Sequence, residues 1–123
     1  MFIEEVTKIK KINKSTLRYY ENRGIIPKVP RDISGHRVYT EENLEWIDFI
    51  TSLKETGMPL AKIKEYTNLY KGGKETLQAR KEIMLQHQIS VQNNISETIK
   101  HLEKINYKIA LYDVQLNNIK RMP

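Results

Sequence analysis

Apolar residues recur at Ile3, Val6 and Ile9, in steps of three, and predict a short amphipathic helix over residues 3–10 with one buried stripe. A second helix is predicted from Asn13, a residue type that caps helix starts. It runs through Lys14-Ser15-Thr16-Leu17-Arg18-Tyr19-Tyr20-Glu21-Asn22-Arg23 to Gly24, which suits the left-handed turn at a helix end. Two short helices separated by about three residues suggest a helix-turn-helix, with the second helix in the reading position.

The next segment, Ile25-Ile26-Pro27-Lys28-Val29-Pro30, is kept out of a helix by its two prolines. Ser34-Gly35 is a turn signal inside Arg31-Asp32-Ile33-Ser34-Gly35-His36-Arg37-Val38-Tyr39, so a small two-stranded wing is predicted, with a plain surface loop as the alternative. Thr40, followed by Glu41, Glu42 and Asn43, opens a third helix in the manner of a capping box. Leu44, Ile47, Ile50 and Leu53 form its apolar face, and Gly57 stops it. Pro59 suits the start of a fourth helix that continues through Ile63 and Tyr66 to about Tyr70. Lys71-Gly72-Gly73-Lys74 then reads as a hinge.

Beyond residue 74 the periodicity changes. Met84, Gln88, Val91, Ile95, Thr98, Leu102, Ile105, Ile109, Tyr112, Leu116 and Ile119 follow in alternating steps of four and three, a heptad seam sustained over five heptads. A helix over residues 75–119 would be roughly 65 Å long, too long to pack fully on a domain formed by the residues before it. Leaving such a seam wet would forgo on the order of 10 kcal/mol, so a partner helix is expected, and a second copy is its simplest source. The dimerisation residues are therefore predicted as Met84, Val91, Ile95, Leu102, Ile105, Ile109, Tyr112 and Leu116. The predicted organisation is a winged-helix domain over residues 1–70, a hinge at 71–74, a coiled-coil dimerisation helix over 75–119 and a tail at 120–123. In fold class the chain reads as mostly α, a winged helix-turn-helix followed by a long coil.

Charge adds a partner class to this outline. Of 21 Lys and Arg, nine lie in residues 1–40 against four Asp and Glu, while the formal net charge is +6 overall. A positive patch at one end of a small protein suits a polyanion, because each phosphate contact releases condensed counterions. The bland alternative is a basic surface that serves only solubility. With no cysteine there is no disulfide framework, thiolate metal site or cysteine nucleophile. Met1-Phe2-Ile3-Glu4-Glu5 carries acids where a signal peptide needs a basic region, and no apolar run approaches about 20 residues. The expectation is a soluble, cytoplasmic protein that touches no membrane.

Several strings are familiar in combination. Ile3-Glu4-Glu5-Val6, Ser15-Thr16-Leu17-Arg18-Tyr19-Tyr20-Glu21, Gly24-Ile25-Ile26-Pro27, Gly35-His36-Arg37-Val38-Tyr39 and Leu53-Lys54-Glu55-Thr56-Gly57-Met58-Pro59-Leu60 resemble the MerR family of bacterial transcription regulators, over about residues 2–75. The resemblance implies a homodimer joined by an antiparallel coiled coil, with two winged-helix units on a near-palindromic promoter operator in double-stranded DNA. It also implies control of transcription by RNA polymerase through distortion of the promoter, a sequence-dependent form of readout. Phe2 stands where the family usually caps the first helix with Ser or Thr, and Lys11 replaces a common turn glycine. In the aldehyde-responsive branch, which residues 46–60 resemble most, the sensing cysteine would fall at Ser52.

Lys14, Ser15 and Thr16 open the reading helix, where base-edge contacts usually arise, although a solvated helix start accounts for them as well. Arg18 and Tyr19 match family positions that face DNA: the first offers a bidentate fork to guanine or phosphate, the second a hydroxyl to phosphate. Tyr20 is a further candidate, but adjacent helical residues point about 100° apart, and one of two neighbours is usually core. By the same resemblance Arg37 matches a wing contact, with His36 and Tyr39 beside it; packing under the wing is the other reading of Tyr39. Lys54 and the backbone around Thr56-Gly57-Met58 match a second wing that touches phosphates. Trp46 reads as core, and Tyr66, Tyr70, Tyr107 and Tyr112 either pack or line the site of an unidentified small-molecule effector.

No catalytic constellation is present. His36, His87 and His101 lack metal-ligand spacing, and Gly72-Gly73-Lys74-Glu75-Thr76 lacks the earlier glycine, the preceding strand and the Ser or Thr directly after Lys of a phosphate loop. The reading therefore carries no enzyme activity, no metal and no cofactor. Its rival from another class is an architectural protein whose coil binds a protein partner. Little sequence follows the coil, so any signal is expected to act at the coil, the hinge or the domain junction.

Overall fold

The computed structural model describes residues 1–120, and the end of the predicted tail, residues 121–123, lies outside the described residues. Five α-helices follow one another: α1 (Ile3–Lys10), α2 (Lys14–Asn22), α3 (Glu41–Glu55), α4 (Leu60–Lys71) and α5 (Leu77–Lys120), with a short 3-10 helix (Gly73–Thr76) before the last.

Local chemistry sets most of these boundaries. Helix α1 has Glu4 and Glu5 in its first turn and Lys8 and Lys10 in its last, each sign opposing the helix dipole. Phe2 at its N-cap supplies no side-chain cap, as expected of a side chain without an oxygen. The turn into α2 passes through Lys11 at φ 56°, a left-handed conformation that glycine adopts without strain. The Asn13 side chain then caps α2 by accepting from the Thr16 N–H at 2.8 Å. After α2 the chain reverses at Gly24, φ 70°, and the Ile25 N–H returns to the Tyr20 carbonyl at 2.8 Å. Helix α3 opens with a reciprocal capping box: Thr40 accepts from the Asn43 N–H at 3.1 Å, while the Asn43 side chain accepts from the Thr40 N–H at 2.8 Å.

The two-stranded wing is not formed. Residues 31–37 make a hairpin-shaped loop with a single antiparallel bridge, Arg31 to Arg37, and no strand occurs among the described residues. Pro30 has no N–H with which to extend the pairing in one direction. In the other direction a turn closes at once: Gly35 N–H donates to the Asp32 carbonyl at 3.0 Å, and His36 N–H to the Asp32 carboxylate at 2.9 Å. The plain-loop alternative is therefore nearer the structure, although the loop keeps a hairpin's reversal.

The segment expected to act as a hinge is bonded into a turn. Thr76 Oγ1 donates to the Leu69 carbonyl at 2.6 Å, and Arg80 Nη2 donates to the Gly73 carbonyl at 3.1 Å. Gly72 is required by close approach, since a Cβ there would lie 2.8 Å from the Thr76 methyl.

One compact unit spans Met1–Leu85. Its core joins Val6 of α1, Leu17 and Tyr20 of α2, Ile25, Ile26, Val29 and Tyr39 of the connecting segments, Ile47, Ile50 and Leu53 of α3, Ile63 of α4 and Ile83 of α5. Trp46, Phe49 and Tyr66 pack against this core from its edge. From residue 86 onward α5 is described by itself: Ile95, Leu102, Ile105, Ile109, Tyr112 and Leu116 are each about half exposed on it. No helix among the described residues is long and apolar enough to cross a membrane.

Candidate nucleic-acid interface

Helix α2 divides its residues between two environments. Leu17 and Tyr20 turn into the core, whereas Lys14, Ser15, Arg18 and Tyr19 are exposed and Thr16 is half-buried. This is the outcome of 100° per residue on a helix anchored by Leu17. Arg18 makes no hydrogen bond to any described residue. The Tyr19 ring has the Arg23 guanidinium 5.6 Å from its centroid, which braces it while leaving it 44% exposed. Ser15 donates to the Asn13 side chain at 2.8 Å, so it extends the cap.

Arg18 opens onto a concavity of about 490 Å³ between the start of α1, α2 and the wing loop, lined also by Phe2, Glu4, Arg31, His36 and Arg37. Three guanidinium groups and an imidazole meet there. The one acid at its rim, Glu4, pairs with the Lys14 ammonium at 3.1 Å. A backbone N–H of its own residue, then the Lys14 hydrogen bond, hold the Glu4 carboxyl below the usual range. Another concavity, of about 340 Å³, is lined by Ser15, Thr16, Tyr19, Tyr20, Lys54 and Leu60, and so joins the exposed face of α2 to the start of α4.

The remaining candidates are placed differently. Tyr20 is 4% exposed, and its hydroxyl accepts from Lys54 Nζ at 3.3 Å. Lys54 itself is exposed and sits 5.6 Å from the Tyr20 ring centre. Tyr39 is 2% exposed with no hydrogen-bond partner for its hydroxyl among the described residues, and burial pushes its phenol up from its ordinary pKa. Both rings thus belong to the core. His36 is exposed, 3.7 Å from the Asp32 carboxylate. Arg37 is largely buried, and its Nε donates to Glu21.

Of the predicted dimerisation residues, Met84 packs partly against the core of the Met1–Leu85 unit, Val91 is half-buried, and the other six are exposed. Three residues placed beside these candidates were not singled out from the sequence. Arg31 is found only when the loop is folded about Ser34-Gly35, which sets it opposite Arg37. Glu21 is polar on an exposed-looking helix, and Arg23 looked like a helix-end charge. Among the described residues no group of three or more acidic or histidine side chains is placed to hold a metal.

Comparison with known proteins gives the family. The family model for MerR HTH regulatory proteins matches residues 1–69, and the model for MerR DNA binding matches residues 44–106. The chain is 43% identical over 84 residues to the HTH-type transcriptional regulator AdhR of Bacillus subtilis, covering 68% of this chain and 60% of that relative, so it spans less than two thirds of AdhR. It is 34% identical over 101 residues to an HTH-type transcriptional regulator of Haemophilus influenzae, covering 82% of this chain and 75% of the relative. Among solved structures, a MerR family transcriptional regulator from Listeria monocytogenes superposes with a TM-score of 0.91 at 31% identity, covering 98% of this chain and 91% of that one. The MerR family regulator HiNmlR, which lacks the sensor domain and was solved bound to promoter DNA, gives 0.85 at 30% identity, covering 91% of this chain and 89% of that one. With both family models matching half of the chain or more, the chain belongs to the MerR family of helix-turn-helix transcriptional regulators.

Proposed function

We propose that this chain is a sequence-specific regulator that binds double-stranded promoter DNA as a homodimer and controls transcription by distorting that DNA. The observation that carries the reading is the pairing of an exposed α2 face, bearing Arg18 and Tyr19, with the basic concavity beside it. An α-helix of this kind fits the major groove, while basic groups on a loop to its side reach the flanking backbone. Arg18 and Tyr19 are assigned the central contacts, Lys14, Ser15 and Thr16 the groove entry, and His36, Arg37 and Lys54 the phosphates. Tyr20 and Tyr39 act indirectly, by holding α2 and the wing in place.

Two copies are needed because the seam from Ile95 to Leu116, interrupted by Thr98, is otherwise apolar or aromatic and uncovered on one chain. An antiparallel coil of two α5 helices would bury it and separate the two reading helices, suiting a near-palindromic operator. Bending or twisting the promoter costs roughly 1–6 kcal/mol, offset by the additional phosphate contacts that the wing makes possible. RNA polymerase at the same promoter is the partner that responds, and a small-molecule effector is the remaining partner class. The protein then works in the bacterial cytoplasm, with no enzymatic step and no cofactor.

The test is a titration of labelled duplex from beside the protein's own gene against random duplex at physiological salt, with light scattering on the same samples. Preference for the promoter by a dimer is expected. Equal binding to both duplexes, or a monomer at micromolar concentration, would overturn the reading in favour of an architectural role.

A further inference from the structure

A buried acid lies beneath the basic concavity. The Glu21 side chain is 5% exposed, although it belongs to the helix that carries the reading face. One carboxylate oxygen accepts from the Val29 N–H at 2.9 Å, and the other accepts from Arg37 Nε. Arg37 is one of the wing residues that line the concavity, with Arg31 and His36, and its two Nη groups have no partner among the described residues.

We propose that Glu21 is a positioning residue for DNA binding, holding Arg37 as a pre-aimed phosphate contact and fixing the wing loop against the reading helix. The proposal rests on the DNA-binding reading above and deepens it. Arginine loses much rotamer freedom when it grips a phosphate, and a guanidinium already held at Nε has less to lose. The same carboxylate counters the mutual repulsion of Arg18, Arg31 and Arg37 around one concavity before DNA arrives. Through Val29 it also ties the segment after α2, so that the base contacts of α2 and the backbone contacts of the wing move as one body. A carboxylate near phosphates would by simple Coulomb repulsion weaken DNA binding, so a positioning role and a bystander role predict opposite signs.

Binding of labelled promoter duplex and of random duplex is measured by fluorescence anisotropy from about 50 to 200 mM salt for wild type, Glu21→Gln, Arg37→Ala, Arg37→Lys and the Glu21→Gln/Arg37→Ala double variant. Glutamine keeps the acceptor for Val29 but not the charge that orients Arg37. Glu21→Gln is expected to weaken binding about three- to tenfold and to flatten the salt slope by about 0.9, the value of one lost phosphate contact. Arg37→Lys keeps the charge but lacks Nε, and is expected to lose affinity as well. The double variant should bind no more weakly than Arg37→Ala alone, since the two residues act as one unit. Glu21→Gln binding as tightly as wild type or tighter, an unchanged salt slope, or additive losses would each overturn the proposal. Circular dichroism confirms that the variants are folded, and Arg37→Lys decides the matter if Glu21→Gln is not. Failure to prefer the promoter overturns the regulator reading only, because the slope comparison on random duplex still reports on Glu21. Absence of binding to any duplex overturns both.

Discussion

The Thr67 hydroxyl donates to the Ile25 carbonyl at 2.6 Å, joining α4 to the turn that follows α2. Thr67 is wholly buried, and it bonds also to Ile63 of its own helix at 3.2 Å. The carbonyl it satisfies belongs to a chain reversal with no regular secondary structure to serve it, so the side chain does what a ladder would do elsewhere.

Thr67→Val keeps the volume and orphans the Ile25 carbonyl. A loss of about 1–3 kcal/mol is expected, the cost of leaving a buried acceptor unpaired. A thermal melt should show a midpoint lower by roughly 4–8 °C for each kcal/mol lost. An unchanged midpoint would mean that the bond contributes nothing net.

Tyr39→Phe should behave in the opposite way. The hydroxyl is buried without a described partner, so its removal is expected to leave stability unchanged or to raise it by up to about 1 kcal/mol. Burial raises the folded phenol above its unfolded value of about 10, so the unfolded state loses this proton first. The contribution is thus fully present below about pH 10 and is lost as pH rises toward the folded value. Denaturant midpoints followed upward from pH 9 should fall less steeply in the phenylalanine variant.

Arg18→Ala removes an exposed side chain that makes no hydrogen bond to any described residue, so the melting temperature should not move. Operator affinity should fall by about 1–3 kcal/mol, most steeply at the base pairs it reads. Tyr20→Phe is the matched control on the same helix: its ring is core, and operator affinity should be nearly unaltered. Comparable losses in the two variants would contradict the division of α2 into a reading face and a packing face.

Leu102→Asp and Ile109→Asp place a charge on the α5 seam. Both residues are about half exposed on a single chain, so the substitutions should barely perturb the isolated fold. In a coiled-coil dimer each would bury two carboxylates against apolar neighbours. Light scattering should report monomers, and promoter affinity should drop because the two half-sites no longer act together. A persisting dimer would place the interface elsewhere.

Lys11→Gly tests the one non-glycine residue among those described with positive φ. The left-handed conformation costs an ordinary residue roughly 1 kcal/mol, part of which glycine returns to entropy in the unfolded chain. A modest rise in the melting temperature is expected.

Much of the helical outline was legible from residues alone. Asn13, Gly24, Thr40 and Gly57 act where caps and stops belong, because these signals depend only on neighbours within one turn. The wing was less legible: Ser34-Gly35 correctly marked a reversal, but strand propensity on either side could not reveal that Asp32 would take the His36 N–H and close the pairing early. Within the candidate site, Arg18 and Tyr19 stood out through a motif and Lys14 to Thr16 through their place at a helix start. Tyr20 and Tyr39 could be counted as contacts until packing buried both rings, Tyr20 on the Leu17 side of α2 and Tyr39 between the wing loop and α3.

By itself the sequence determined where helices begin and end, that the front end is basic, and that a long heptad seam follows, since periodicity, capping and charge are properties of short range along the chain. Only the tertiary structure decided which side of α2 faces outward, that Arg31 meets Arg18 and Arg37 around one concavity, and that Glu21 lies buried beneath them. Those relations join residues far apart in the chain, such as Thr67 and Ile25, and are set by how the helices pack around Leu17, Ile47 and Ile63. A side chain's partner depends on that packing, and local pattern carries no information about it.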